Sequence, residues 1–150
     1  MVETIHAVLV AVDERVQAEI DSKQLERLAS AVMERESLPP GELSILITDD
    51  TTVRRLNREY AGDDEPTDVL AFSLREGEEF ASPDGVLRLG DVIISYPTAL
   101  MQAVEEGRPV EAEIDHLLVH GVLHLLGYDH AEAEEEERMR RREQELLAPS

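Results

Sequence analysis

Apolar residues crowd positions 5–12, IHAVLVAV, in a β-branched run of strand character, and the next apolar positions, Leu25, Leu28, Ala29, Val32 and Met33, switch to helical spacing. Asp21 is placed to cap that helix, with Gln24 as its capping-box partner and Ile20 and Leu25 at the two positions of a hydrophobic staple. Pro39, Pro40 and Gly41 then break the pattern and turn the chain. A second strand is expected over 43–48 and a short helix over 51–60, with Val53, Leu56 and Tyr60 on one face. A polar turn over 62–66, a third strand over 69–74 and a charged surface loop over 75–85 follow. The fourth strand, 86–95, is interrupted at Gly90, and a glycine inside a strand pattern marks a bulge or a close backbone approach.

Ser95 caps the next helix, which runs to about residue 106, with Pro97 in its first turn, where a missing N–H costs little, and Gly107 beyond its end. A longer helix is expected over 110–126, closed by Gly127 in a left-handed conformation and followed by a turn at 128–130. In the last helix, 131–147, an acidic first half and an arginine-rich second half complement the helix dipole. Glu134 with Arg138 and Glu136 with Arg140 fall at (i, i+4) there, and such a charge run marks a solvated face. With no repeat, linker or second composition zone, residues 1–150 read as a single domain. Strands and helices mixed without strict alternation predict an α+β fold, a small mixed sheet of about four strands flanked by helices, over a doubly wound sheet.

Composition narrows the chemistry. Fourteen Lys and Arg against 34 Asp and Glu give a net charge of −20, while 42% of residues are apolar, so the charge coats a globule with a real core. The absence of cysteine excludes disulfides, thiol nucleophiles and cysteine-ligated metals, so any metal falls to His, Asp or Glu. The first residues carry Glu3, no basic region and an apolar run broken by His6, which is not the pattern of a signal peptide. No segment reaches the roughly 18 uninterrupted apolar residues of a membrane span, so a cytoplasmic protein with no membrane partner is expected. A charge of −20 repels polyanions at long range; a nucleic-acid site must therefore be local, and DNA is not an expected partner.

Four of the five histidines, His116, His120, His124 and His130, lie within fifteen residues. Residues four apart on a helix differ by about 40° and about 6 Å, so His120 and His124 point the same way and can grip one ion. Gly127 lets the chain reverse tightly enough to return His130 to that ion. Three imidazoles leave a fourth tetrahedral position to water, the composition of a catalytic zinc site, with the water's pKa lowered toward ~7. A lone helical histidine usually just fills a face, but here Ile114, Leu117, Leu118, Val122 and Leu125 supply the apolar face and leave the histidines on another side. His116, one turn earlier, is expected to support a ligand or to face substrate.

The spacing HxxxHxxGxxH is that of the metzincin peptidases, a zincin-like metal helix, whose general base is a Glu directly after the first histidine. Gly121 stands there instead, so ordinary metzincin proteolysis is not expected and the base is unassigned. Asp129, beside the third histidine, is the neighbour placed to orient a ligand.

HGVLHLLGYDH at 120–130 resembles the signature of the YbeY endoribonucleases, bacterial rRNA maturation factors. LNREY at 56–60, PTDVLAFS at 66–73 and LGDVIIS at 89–95 resemble that family's other segments in the same order, so the resemblance covers essentially the whole chain. It implies one metal ion, taken as zinc, on His120, His124 and His130. It further implies single-strand-specific endonucleolytic cleavage in 16S rRNA 3′-end maturation and ribosome quality control, with rRNA, ribosomal subunits and ribosomal proteins as partners. Three imidazoles also suit nickel, cobalt or iron. The family carries Arg directly after the LNxxY segment, where this chain has Ala61; Arg58 stands one turn earlier, and Arg54, Arg55 and Arg58 recur at helical spacing. Thr67 and Asp68 fit a strand entrance or a cleft rim, and Asp91 fits a helix end or the metal side. The alternative function is a ribosome-assembly binding factor with a mainly structural metal, toward which Gly121 and Ala61 both lean.

Overall fold

The computed structural model describes residues 6–61, 67–73, 87–128 and 132–148. Strand β1 (Ala7–Val12) alternates exposed and half-buried residues, with Val8, Val10 and Val12 toward the core and Leu9 outward, as an edge strand does. Helix α1 (Ser22–Arg35) crosses over it and buries Leu25, Ala29, Val32 and Met33, four of the five positions that set the helical spacing. The Asp21 carboxylate accepts the Gln24 N–H at 3.1 Å, but the Gln24 side chain does not complete a capping box. Its amide donates instead to Asp115, 3.3 Å away on a later helix. Strand β2 (Gly41–Thr48) sends Leu43, Ile45 and Ile47 into the core.

Helix α2 (Asp50–Leu56) starts at Asp49, whose carboxylate accepts the Thr52 N–H at 2.8 Å. Past Leu56 the chain widens into a π-helical turn, Asn57–Ala61, so the expected single helix to Tyr60 is corrected. The extra residue in that turn shifts the phase of the face: Val53 is buried, while Tyr60 is 70% exposed and meets the edge of Phe72 at 5.7 Å. Strands β3 (Val69–Ser73) and β4 (Leu87–Ser95) complete a sheet of order β1-β2-β4-β3, parallel across β1, β2 and β4 and antiparallel at β3. Gly90 serves both expected roles: the β2–β4 register slips beside it, and at φ +143° its Cα faces the Phe72 carbonyl, where a Cβ does not fit. Residue 5, the 62–66 turn, residue 74 and the 75–85 loop lie outside the described residues.

Ser95 caps α3 (Tyr96–Glu106) through the Thr98 N–H, with Pro97 in the first turn and Gly107 left-handed at φ +69°. Helix α4 (Val110–Leu125) ends one residue short of expectation, with Gly127 at φ +99°. Helix α5 is Ala133–Leu147; its expected start at residue 131 lies outside the described residues. Arg140 pairs with Glu136 at 2.8 Å as expected, and Arg141 with Glu137 at 3.2 Å, on an exposed face where such pairs contribute little.

The fold is thus α+β, with α4 at its centre, packed by α1, α3 and α5 and by strands β3 and β4. Val119 and Leu123 are buried along with the five predicted apolar residues, so the helix is enclosed more widely than a single stripe. A smaller cluster of Val53, Leu70 and Ile93 lies under α2 on the opposite face of the sheet. Among the described residues no helix is long and apolar enough to cross a membrane.

Candidate metal centre

Three histidines ride on α4. His116 and His120 are half-buried with ring centroids 6.4 Å apart, and His124 is exposed on the next turn. Helix α5 crosses beside them because Met139, Glu143 and Leu146, spaced i, i+4 and i+7, form its buried face. Glu143 is only 6% exposed and bridges two rings: Oε1 lies 3.1 Å from His116 Nε2, and Oε2 lies 2.5 Å from His120 Nδ1. Burial alone would push this carboxyl up, but the hydrogen bonds from His116 and His120 outweigh it and bring the pKa down to about 2. An ionised carboxylate only accepts, so the bonded ring nitrogens, His116 Nε2 and His120 Nδ1, are the donors.

The hydrogen bond to Glu143 likewise raises the pKa of His116, against the effect of burial. The other nitrogen of that ring, Nδ1, is buried without a hydrogen-bond partner, 3.8 Å from Oε1 of the buried Glu113, whose Oε2 takes Arg108 at 2.5 Å. His116 thus has one ring nitrogen bound to Glu143 and the other enclosed.

Gly121 is explained by the spacing between α4 and the sheet. A Cβ there would stand 2.8 Å from Val92 Cγ1 and 3.3 Å from Val69 Cγ2. The position used by metzincins for a glutamate base therefore faces the sheet at close quarters and holds no side chain. Tyr128 closes the helix end: its hydroxyl donates to the Glu36 carboxylate at 3.3 Å, which also takes Arg142 Nε at 2.8 Å.

His120 and His124 are thus brought to one flank of α4, while His130 and Asp129 lie outside the described residues. Among the described residues no group of three forms an ion-holding set, and the two described imidazoles fit a divalent ion by chemistry: nitrogen donors one helical turn apart, the first with its Nδ1 engaged by Glu143. Asp91 does not face them. Its neighbour Val92 packs on Gly121, so strand alternation turns Asp91 to the α2 side, where burial raises its pKa. Asp68 is tied to α3 and the sheet, accepting Gln102 Nε2 at 3.3 Å and, through its carbonyl, the Ser95 N–H at 2.9 Å. Arg54, Arg55 and Arg58 are exposed on or just beyond α2, which covers the sheet face opposite α4.

Glu143 is the residue that sequence reasoning missed. The available signal was a glutamate sitting in phase with Met139 and Leu146 on an otherwise highly charged helix.

Fold and site together define an α+β protein whose central helix, packed against an edge strand, carries histidines on consecutive turns. Residues 11–150 match the family described as Endoribonuclease YbeY, and the chain belongs to that family. It is 47% identical over 126 residues to the Endoribonuclease YbeY of Syntrophotalea carbinolica, covering 83% of each chain. To that of Pelotomaculum thermopropionicum it is 48% identical over 124 residues, covering 82% of each. To that of Chloroflexus aurantiacus it is 45% identical over 148 residues, covering 95% of this chain and 94% of the other. The solution structure of a Thermotoga maritima protein shares the fold at a TM-score of 0.57 and 23% identity, covering 93% of this chain and 88% of that one.

Proposed function

We propose that this protein is a metal-dependent endoribonuclease that cleaves single-stranded RNA in 16S rRNA 3′-end maturation and ribosome quality control, with ribosomal subunits as its partners. The observation that carries the proposal is the pairing of His120 and His124 on consecutive turns of a buried helix, with His120 engaged by Glu143, in a chain 45–48% identical to relatives named as endoribonucleases. His120, His124 and His130 would hold the ion, zinc or another divalent metal such as nickel. When bound, such an ion supplies Lewis acidity to a phosphodiester oxygen.

The chain's own residues do the rest. Glu143 keeps the proton of His120 on Nδ1, and His116 anchors the same carboxylate from its other oxygen. Gly121 lets the helix that carries the histidines lie close against β3 and β4. No base comes from that position. RNA must approach a surface of net charge −20, so binding weakens as divalent cations are withdrawn.

The test pairs the metal content of untagged protein, by elemental mass spectrometry, with cleavage of a single-stranded rRNA fragment by wild type and His124→Ala. One ion per chain, with cleavage lost in a variant that still folds, is the expected result. A folded protein prepared without chelator and holding no metal would overturn it. Bound metal without cleavage would favour a ribosome-assembly binding factor instead.

A further inference from the structure

We infer that Glu143 is the positioning residue of the metal centre: from α5 it locks the tautomer and ring orientation of His120, with His116 as the second donor that holds the carboxylate still. The inference rests on the metal-binding proposal above and adds a residue from a different helix.

A carboxylate at 6% exposure between Met139 and Leu146 loses most of its hydration, and an apolar side chain of similar volume would pack α5 on α4 at least as well. What the carboxylate does that an apolar group cannot is accept hydrogen bonds, and both oxygens are used on histidines of one flank, Oε1 by His116 and Oε2 by His120. Neutral imidazole has one donor and one acceptor nitrogen, so an acceptor-only group on Nδ1 assigns the metal-ligating lone pair to Nε2. Two hydrogen bonds from rings one helical turn apart also fix the rotation of the carboxylate, and through it the plane of the His120 ring.

The neighbouring residue on α5 steadies the other end of the motif. Arg142 holds Glu36, and Glu36 accepts the hydroxyl of Tyr128, two residues before His130 in the chain. One helix thus braces the chain on both sides of the histidine motif, Glu143 at its first member and Arg142 at the approach to its last.

The experiment uses the full chain with Glu143→Gln, which keeps the volume and one accepting oxygen, and Glu143→Leu, which removes both acceptors. Affinity for Zn2+ alone is measured by competition with a chromophoric chelator, the metal-free thermal midpoint by circular dichroism, and the His120 tautomer in metal-free protein by long-range nitrogen–proton NMR. The expected result is a ~10- to 100-fold loss of Zn2+ affinity, larger for Leu, with a metal-free midpoint that does not fall in parallel. His120 should hold its proton on Nδ1 in wild type and redistribute it in the Leu variant. Wild-type affinity in both variants, or a wild-type His120 protonated on Nε2, would overturn the inference alone. A wild type that binds neither Zn2+ nor Ni2+ would overturn the metal proposal and this inference with it.

Discussion

Replacing Gly121 with alanine sets two effects of known sign against each other. In a helix interior, alanine is favoured over glycine by about 0.5–1 kcal/mol, because glycine loses more backbone freedom on folding. Against this stands a Cβ placed 2.8 Å from Val92 Cγ1 and 3.3 Å from Val92 Cγ2 and Val69 Cγ2. Carbon atoms pack best near 3.5–4.0 Å, so Val92 must retreat by about 0.7 Å or α4 must lift from the sheet. Val92 is fully buried on β4, between β2 and β3, and its branched Cβ leaves it little rotameric choice. Overpacking of this kind costs about 1–3 kcal/mol, and a 2.8 Å contact with so immobile a neighbour belongs in the upper half of that range, so subtracting the full ~1 kcal/mol helix gain leaves Gly121→Ala destabilised by about 1–2 kcal/mol net. For a domain of this size each kcal/mol corresponds to about 2–4 °C, hence a fall of roughly 2–8 °C in the melting midpoint. Urea and thermal denaturation of metal-free wild type, Gly121→Ala, Val92→Ala and the double variant would measure it. The double variant should be more stable than the sum of the single losses predicts, because the second change makes room for the first. An unchanged or raised midpoint in Gly121→Ala would refute the reasoning, showing that the gap between helix and sheet yields freely.

Gly90→Ala should cost more, on the order of 3 kcal/mol in urea denaturation, because φ +143° strains any L side chain and the new Cβ is directed at the Phe72 carbonyl. Asp49→Ala removes the cap on the Thr52 N–H and should cost about 1 kcal/mol by the same assay, since the 3.9 Å pairing of Asp49 with Arg15 is too exposed to add much. Asp115→Asn should stabilise the protein at neutral pH. Burial raises the Asp115 pKa above the 3.8 of an unperturbed group, so the contribution of this group to stability is fully present below pH 3.8 and is lost as pH rises through the folded value. The advantage of the variant should therefore vanish in acid, and a difference independent of pH would count against the assignment.

Local features of the fold were legible wherever periodicity or a cap decides the matter. Asp21, Ser95, Gly107 and Gly127 bound their helices as the sequence pattern indicates, and alternation placed the strands to within a residue or two. Contacts between elements far apart in the chain were not legible. Gln24 donates to Asp115 instead of back into its own first turn, a choice made by how α1 lies on α4. The π-helical turn at Asn57–Ala61 has no marker residue, and its effect on Tyr60 follows only from the geometry. At the site, i to i+4 spacing was enough to pair His120 with His124. The partner of His120 lies 23 residues further on, and only the crossing of α5 over α4 brings it there. Gly121 was readable as a missing base, but the reason for its absence, the nearness of Val92, belongs to the packing of helix on sheet.

Helix α4 is enclosed by the core through Leu117, Leu118, Val119, Val122 and Leu123, residues interleaved with His116, His120 and His124 along the same turns. The entropy of bringing two imidazoles into register is therefore lost when the core assembles, not when a ligand arrives. What remains to be ordered on binding is side-chain rotation, about 1 kcal/mol or less for each ring, and Glu143 has already taken part of that from His120. A ligand of this pair can leave and return without rebuilding the helix that carries it.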